Sequence, residues 1–170
     1  FVNKGLADKL MRRPADPPKS QVRRLGILGA GMMGAGVAYV SARAGMDVVL
    51  LDSTLELAEK GKDYSRQLLA KDVRRGKRTQ ADADAVLARI KPTASYDDPA
   101  GADLVIEAVF ENREIKADVT AKTEAVIPKN AVFASNTSTL PITGLAQASK
   151  RPAQFIGIHF FSPVDKMPLV

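Results

Sequence analysis

The chain has 170 residues, and its content of 45% hydrophobic and 26% charged residues is typical of a single globular domain with its own core. It has no cysteine and one histidine, His159, which excludes disulfides and a conventional transition-metal site within the chain. No apolar run approaches the roughly 20 residues that span a bilayer, and the first residues lack a signal-peptide pattern. We therefore expect a cytoplasmic protein with no bound metal and no membrane span.

Basic residues exceed acidic ones, with 25 Lys and Arg against 19 Asp and Glu, for a net charge of +6. They cluster within residues 4–24 and again within 71–78. Nucleic-acid binding is disfavoured, because aromatic side chains do not alternate with either cluster and the chain has no Trp. The second cluster is typical of a solvated helix end, and it also suits the attraction of an acidic substrate such as a phosphorylated carrier.

The first 22 residues contain a proline-rich segment, Arg13–Lys19, that predicts an extended, semi-rigid linker from an upstream domain. The chain begins with Phe1 and stops at Val170 within an apolar run, so we expect both ends to be cuts in a longer protein. We expect residues 1–22 to form this linker and residues 23–170 to form the domain.

From residue 23 onward, strand and helix patterns alternate along the chain. This alternation predicts a doubly wound, mostly parallel α/β sheet with helices on both faces. The long helix 54–76 is mostly polar, so we expect it to project from the sheet as one arm of a protruding helical hairpin. The predicted strands are 23–29, 47–52, 93–96, 103–109, 131–135 and 155–160, and the predicted helices are 32–44, 54–76, 80–90, 113–127 and 142–149.

The first predicted strand ends in a glycine-rich turn, G-A-G-M-M-G at residues 29–34, which opens a helix. In this arrangement Gly29 allows the tight turn, Gly31 lets the backbone approach a pyrophosphate, and Gly34 lets the helix pack closely on its strand. Asp52 closes the second strand 18 residues after Gly34, near the spacing of a carboxylate that binds the adenosine ribose. Because a carboxylate binds both ribose hydroxyls and repels a 2′-phosphate, we predict NAD in preference to NADP.

Polar side chains follow the last three predicted strands, at the sheet edge where open parallel sheets bind ligands. Asn136 and Ser138 are candidate donors to a nicotinamide amide or a substrate oxygen, although loop and capping roles fit them as well. Imidazole exchanges protons near neutral pH, so His159 is a candidate base for an alcohol, the alternative being a core histidine. Glu111 and Lys116 fit the charges of a helix start.

Five segments, in this order and spacing, resemble the NAD-binding domain of L-3-hydroxyacyl-CoA dehydrogenase. The resemblance extends from about Arg24 to Val170. Its segments are the turn 29–34, Asp52, E-A-V-F-E-N at 107–112, S-N-T-S at 135–138 and H-F-F-S-P-V at 159–164.

The resemblance implies a role for each matching residue. His159 is implied as the catalytic base, and Ser138 as a hydrogen-bond partner of the substrate oxygen and the cofactor. Met33 would contact the dinucleotide at the turn, whereas Ser162 stands where family members commonly carry Asn as a nicotinamide contact. The residues implied to bind the cofactor are Gly29, Gly31, Met33, Gly34, Asp52 at the adenosine ribose, Val109, Phe110, Glu111 and Lys116 at the nicotinamide-side ribose and phosphates, Asn136, Ser138 and Ser162.

The activity implied is NAD-dependent oxidation of a (3S)-hydroxyacyl-CoA to the 3-oxoacyl-CoA in fatty-acid β-oxidation, within a homo-oligomer or a multienzyme complex. The family's glutamate that orients the histidine falls just after Val170, and its C-terminal helical domain follows, so we expect these residues alone to bind NADH with little turnover. The linker favours a multifunctional chain with an upstream enoyl-CoA hydratase domain. The alternatives are a short-chain 3-hydroxybutyryl-CoA dehydrogenase and a non-catalytic dinucleotide-binding module, and the latter would need neither His159 nor Ser138.

Overall fold

The computed structural model describes residues 21–167 and Val170, and within this part of the chain six parallel strands form one sheet. The expected linker falls mainly on residues 1–20, outside the described residues. The strands are β1 (Arg24–Leu28), β2 (Asp47–Leu51), β3 (Ile90–Thr93), β4 (Leu104–Glu107), β5 (Val132–Ser135) and β6 (Phe155–Gly157). The helices are α1 (Met32–Arg43), α2 (Leu55–Arg74), α3 (Gln80–Ala88), α4 (Arg113–Glu124) and α5 (Ile142–Ala146), with 3-10 turns at Asp98–Gly101 and Pro152–Gln154.

The sheet order is β3-β2-β1-β4-β5-β6, so β1 lies between β2 and β4. The order of the strands reverses at β1 and β4, and this reversal opens a crevice beyond their carboxyl ends. Buried apolar side chains form two clusters, one against α1, α2 and α3 and the other against α4. These features confirm the predicted doubly wound α/β sheet with helices on both faces.

Side-chain caps explain where three of the helices begin. The Thr54 hydroxyl accepts the Leu57 N–H at the start of α2, and the Asn112 carboxamide accepts the Ile115 N–H at the start of α4. Thr79 does the same for α3. Each cap satisfies a backbone donor that has no acceptor within its own helix, so the cap fixes the residue at which the helix starts.

The third strand and the last strand differ from their predicted ranges. The third strand is Ile90–Thr93, not 93–96, and α3 ends before it at Ala88. Because β3 lies at the sheet edge and pairs only with β2, it tolerates Pro92, which lacks a backbone N–H. The last strand ends at Gly157, so His159 lies beyond the sheet.

The long helix α2 packs over the sheet for most of its length. Its buried stripe consists of Ala58, Gly61, Ser65 and Leu69, and the helix contacts α1, β2 and β3. This packing corrects the expectation that α2 projects from the sheet, although α2 and α3 do pack together as a hairpin. Within residues 21–167, no helix combines the length and the apolar character that a membrane crossing requires.

Candidate functional site

The glycine-rich turn connects β1 to α1, and each of its three glycines meets a different requirement. Gly29 has φ +91°, and a Cβ there would lie 2.7 Å from the Ala108 carbonyl oxygen. A Cβ on Gly34 would overlap the Gly29 carbonyl oxygen. At Gly31, by contrast, no described atom lies within 4 Å of the Cβ position, so the backbone there faces open space. Gly29 and Gly34 therefore serve packing, and Gly31 leaves room for a ligand at the start of α1.

The two methionines of this turn face different surroundings. The Met32 side chain is 72% exposed, whereas Met33 packs against the core cluster under α1. A dinucleotide contact by Met33 would therefore use its backbone N–H at the first turn of α1, while Met32 offers its side chain. The sequence prediction named Met33, and the glycine pattern gives no indication that the Met32 side chain is the one that turns outward.

Asp52 lies just beyond β2, and its carboxylate is held by backbone donors. Its Oδ2 accepts the Ala30 N–H at 2.6 Å, and its Oδ1 accepts the Ser53 N–H at 2.7 Å. The carboxylate therefore has a fixed orientation against the glycine-rich turn. It lines a groove of about 360 Å³ together with Gly31, Met32, Leu57, Lys60 and Tyr64.

Glu111 lies in the loop between β4 and α4 and accepts hydrogen bonds from the turn that follows β5. One oxygen, Oε1, accepts the Thr137 hydroxyl and the N–H groups of Ser138 and Thr139, the last two at 3.1 Å. Burial raises the pKa of the Glu111 carboxyl, but the hydrogen bonds from Thr137, Thr139 and Lys116 lower it by a larger amount. The resulting pKa is about 2. Glu111 is therefore an anion that holds the turn 137–139 in place.

Lys116 and Glu107 form a buried ion pair beside Glu111. The Lys116 Nζ lies 2.8 Å from both oxygens of Glu107 and 3.2 Å from Glu111 Oε2. The side chains of Lys116 and Glu107 are only 3% and 1% exposed. The sequence prediction placed Lys116 at the cofactor, and it did not single out Glu107. A signal for the burial exists in α4, where Lys116, Val119, Thr120 and Thr123 share one buried face at helical spacing.

The other two implied residues of this loop lie in opposite environments. Val109 is half-buried, packs against the cluster under α4 and donates its N–H to Glu107 at 3.3 Å. Phe110 is 77% exposed. A Phe110 contact with a ligand would therefore occur at the surface of the crevice, whereas Val109 would contribute through its backbone.

His159 follows β6, and its hydrogen bond identifies its tautomer. The Nδ1 atom lies 3.2 Å from the Thr137 carbonyl oxygen. Because a carbonyl oxygen only accepts, Nδ1 donates in this contact, and in the neutral imidazole the lone pair is then on Nε2. The Phe161 ring packs edge-on against the imidazole at 5.1 Å between ring centres. His159 and Ser138 line the same pocket of about 480 Å³ at the carboxyl edge of the sheet.

The segment after β6 crosses the carboxyl edge of the sheet towards α1 and α2. Asn136 Oδ1 accepts the Phe160 N–H at 2.9 Å, and the Ser162 hydroxyl lies 3.6 Å from the Met32 sulfur. Val164 is buried and packs against α1. This crossing segment, residues 158–165, therefore brings the surroundings of His159 to the glycine-rich turn.

The far end of the crossing segment is tied to α2. The Tyr64 hydroxyl donates to Asp165 Oδ1 at 2.9 Å, and burial together with this hydrogen bond raises the pKa of Tyr64 to about 12. Sequence reasoning missed this pair, since the two residues are 101 positions apart and belong to no local pattern. Tyr64 itself lines the groove that contains Asp52.

The structure thus brings the candidate residues together at one edge of the sheet, in two neighbouring spaces. The Asp52 groove contains the glycine-rich turn, and the other pocket contains Ser138 and His159. A further apolar cavity of about 420 Å³, lined by Asp103, Pro128 and Ile156 among others, includes none of the candidate residues. It is therefore no part of the candidate site.

Residues 24–170 match the family described as 3-hydroxyacyl-CoA dehydrogenase, NAD binding domain. This chain belongs to that family. The match confirms the family and the cofactor, NAD, that the sequence predicted for this 3-hydroxyacyl-CoA dehydrogenase domain. The open backbone at Gly31 and the fixed Asp52 carboxylate fit a dinucleotide laid across the turn.

Relatives of this 3-hydroxyacyl-CoA dehydrogenase domain include subunits of larger proteins. The fatty acid oxidation complex subunit alpha of Acinetobacter baylyi is 48% identical over 149 residues, which cover 88% of this chain and 21% of that protein. The subunit of the same name from Psychrobacter arcticus is 42% identical over 168 residues, which cover 97% of this chain and 23% of that protein. The chain therefore spans less than a quarter of the length of these relatives.

A crystal structure gives the same relationship in three dimensions. The (S)-3-hydroxybutyryl-CoA dehydrogenase of Ralstonia eutropha superimposes with a TM-score of 0.83 at 40% identity, covering 86% of this chain and 52% of that one. The fold of the described residues is therefore that of a 3-hydroxyacyl-CoA dehydrogenase NAD-binding domain.

Proposed function

We propose that this domain binds NAD across the glycine-rich turn and that, in the whole protein, it oxidises a (3S)-hydroxyacyl-CoA to the 3-oxoacyl-CoA. The observation that carries the proposal is the hydrogen bond of His159 Nδ1 to the Thr137 carbonyl oxygen, at 3.2 Å. It leaves Nε2 as a base in the same pocket as the Ser138 hydroxyl. A base beside a hydroxyl donor, next to a dinucleotide groove, is suited to the oxidation of an alcohol.

In this proposal, one set of residues binds NAD and another set binds the substrate and takes its proton. The Asp52 carboxylate would bind the adenosine ribose hydroxyls, and the N–H groups at the start of α1 would bind the pyrophosphate. Asn136, Glu111 and Ser162 lie on the nicotinamide side of the crevice in this proposal. Bound NAD supplies the acceptor for the hydride that leaves the hydroxyl-bearing carbon.

His159 Nε2 would take the hydroxyl proton, so that the C–O single bond becomes a carbonyl as the C–H electron pair leaves. The imidazolium that forms is stabilised by its Nδ1–H bond to the Thr137 carbonyl oxygen. The Ser138 hydroxyl would donate to the substrate oxygen and fix its position before the proton moves. Its backbone is already held, since its N–H donates to Glu111.

Substituting His159 in the full-length protein that carries this domain tests the proposal. We expect His159→Ala to lower kcat for 3-hydroxyacyl-CoA oxidation by at least about 10²-fold, the lower range for a general base, while the Kd for NADH changes less than about twofold. The matched control is Phe161→Leu, which removes the ring beside the imidazole and keeps the base. Unchanged turnover in His159→Ala would assign the base to another residue.

The name of the relatives suggests where the whole protein works. We infer that it acts on acyl-CoA within a multienzyme complex, because relatives at 42–48% identity are named as subunits of a fatty acid oxidation complex. Copurification of a second enzyme of fatty-acid oxidation with the full-length protein tests this assembly. The cytoplasmic location expected from the sequence stays a prediction, which fractionation of cells that produce the full-length protein would check.

A second candidate is a dehydrogenase restricted to short substrates. The observation that favours it is the Ralstonia eutropha (S)-3-hydroxybutyryl-CoA dehydrogenase, which has 40% identity and a TM-score of 0.83 with this chain. Steady-state rates of the full-length protein on 3-hydroxyacyl-CoA substrates of four to sixteen carbons distinguish the two candidates. A kcat/KM that falls steeply beyond four carbons would favour the short-chain enzyme.

A further inference from the structure

Hydrogen bonds attach the crossing segment, residues 158–165, to its neighbours on both sides. On the β5 side, the Phe160 N–H donates to Asn136 Oδ1 at 2.9 Å. At the far end, Asp165 Oδ1 accepts the Tyr64 hydroxyl of α2, also at 2.9 Å. The residues between these two attachments are therefore held from both sides.

The position of Tyr64 is fixed relative to the glycine-rich turn. At Gly61, α2 packs so closely on this turn that a Cβ would lie 2.7 Å from both the Cβ and the carbonyl oxygen of Ala30. Ala30 in turn donates its N–H to the Asp52 carboxylate at 2.6 Å. Tyr64 follows Gly61 by three residues, so the two lie on the same face of the helix. The Tyr64 hydroxyl therefore has a defined distance from the turn.

The chemistry of Tyr64 and Asp165 suits a stable connection. Burial and the hydrogen bond to Asp165 raise the pKa of Tyr64 to about 12, so the hydroxyl keeps its proton at neutral pH. An ionised carboxylate only accepts, and hydrogen bonds to charged groups are stronger than those between neutral groups. Both residues are half-buried, which limits competition from water. The pair therefore joins α2 to the crossing segment.

Ser162 lies between the two attachments and beside the start of α1. Its hydroxyl is 3.6 Å from the sulfur of Met32, the first residue of that helix. The ring of Phe161, the residue before it, packs edge-on against the imidazole of His159. The middle of the crossing segment thus contacts the candidate base with one residue and the glycine-rich turn with the next.

We propose that Tyr64 and Asp165 are positioning residues for bound NAD. Their hydrogen bond holds the crossing segment at the distance from the glycine-rich turn that the dinucleotide spans, and they act on its nicotinamide end through Ser162. This inference rests on the proposed function, which places Ser162 on the nicotinamide side of the crevice. Because Tyr64 also lines the groove that contains Asp52, a direct contact with the adenosine half of NAD is the alternative role.

Affinities for NADH and for ADP-ribose, measured by calorimetry on the full-length protein that carries this domain, separate the two roles. ADP-ribose has the adenosine and the pyrophosphate but lacks the nicotinamide ring, so only NADH binding should depend on the position of Ser162. We expect Tyr64→Phe to weaken NADH binding about fivefold, the effect of about one hydrogen bond, while the Kd for ADP-ribose changes less than about twofold. Equal weakening of both ligands would show a direct contact, and no weakening of either would show no role. Each of these results overturns the inference.

Asp165 supplies a second variant and a conservative rescue. Asp165→Ala removes the acceptor and should weaken NADH binding as Tyr64→Phe does, whereas Asp165→Asn keeps an acceptor and should stay within about twofold of the unaltered protein. When Tyr64→Phe and Asp165→Ala are combined, the loss should be no greater than in either single variant, because both remove the same hydrogen bond. Losses that multiply, or an Asp165→Asn variant as weak as Asp165→Ala, would contradict the proposal.

The matched control is Tyr39→Phe, which removes a hydroxyl from the core cluster against α1, where the Tyr39 ring lies beside Arg43. It should leave the ratio of the two affinities unchanged, and a selective loss of NADH binding in this control would also contradict the inference. Failure of the unaltered protein to bind NADH would refute the proposed function together with this inference. Normal NADH binding with no selective effect at Tyr64 or Asp165 would refute this inference alone.

Discussion

The Glu111 carboxyl gives the protein a defined sensitivity to acid. Its pKa lies at about 2 instead of its ordinary 4.5, because hydrogen bonds from Thr137 and Thr139 and the Lys116 ammonium outweigh the effect of burial. At about 1.4 kcal/mol per tenfold change in proton affinity, the difference corresponds to about 3 kcal/mol. The side chain is 32% exposed, so solvent screening reduces this contribution to about 1–2 kcal/mol.

The sign follows from the direction of the shift. A carboxyl whose pKa is lower in the folded protein stabilises it above the unfolded pKa, near 4.5, and this stabilisation is lost as the pH falls towards 2. We expect Glu111→Gln to reduce the free energy of unfolding by about 1–2 kcal/mol at pH 7 and to converge with the unaltered protein only as the pH falls to about 2 and below.

Urea denaturation of both proteins at pH 7, 5, 4 and 3 measures this difference. Asp103 is a suitable control, because hydrogen bonds from the Arg24 and Arg23 N–H groups also lower its pKa and it lies at the opposite edge of the sheet. Asp103→Asn should leave the Glu111 contribution unchanged. A difference between Glu111→Gln and the unaltered protein that stays constant from pH 7 to pH 3 would refute the electrostatic reasoning.

Three further predictions concern the groove and its walls. Gly34→Ala should lower the free energy of unfolding by at least about 2 kcal/mol in urea denaturation, since its methyl group would overlap a carbonyl oxygen. Gly31→Ala should change the free energy of unfolding by less than about 1 kcal/mol, because its Cβ position is open. It should nevertheless weaken NADH binding in a fluorescence titration. Asp52→Asn weakens the hydrogen bonds to the ribose hydroxyls, so we expect about tenfold weaker NADH binding by calorimetry. It also removes the charge that repels a 2′-phosphate, so the preference for NADH over NADPH should become smaller. An unchanged preference would contradict this role. Tyr64→Phe should reduce the free energy of unfolding by about 1 kcal/mol through loss of its hydrogen bond, while Asp165→Asn, which keeps an acceptor, should cost less.

Local sequence patterns were sufficient for the parts of the site that lie within one structural unit. The glycine-rich turn and Asp52 belong to a single strand-turn-helix-strand unit, where spacing along the chain determines spacing in space. The third strand was misplaced for the opposite reason. Its Pro92 is acceptable only because β3 is an edge strand, and edge position is a property of the whole sheet.

The buried ion pair of Glu107 and Lys116 could not be predicted from the sequence for a different reason. Glu107 lies within a recognisable motif and Lys116 at a recognisable helix position, yet two charged residues near a strand end are usually solvated. That these two are buried depends on how α4 packs against the ends of β4 and β5. The pairing of Tyr64 with Asp165 likewise requires the crossing segment to reach α2, which no local pattern specifies.

The crossing segment explains how two distant parts of the chain determine the position of one imidazole. His159 lies between two anchors of that segment, the Asn136 contact with Phe160 on the β5 side and the packing of Val164 on the α1 side. A shift at either anchor would therefore move the imidazole relative to Ser138. The Val164 anchor is sensitive because a Cβ at Gly36 would lie only 3.0 Å from Val164. Gly31 thus leaves room for a ligand where α1 begins, and Gly36, five residues further along, admits the segment that carries the base.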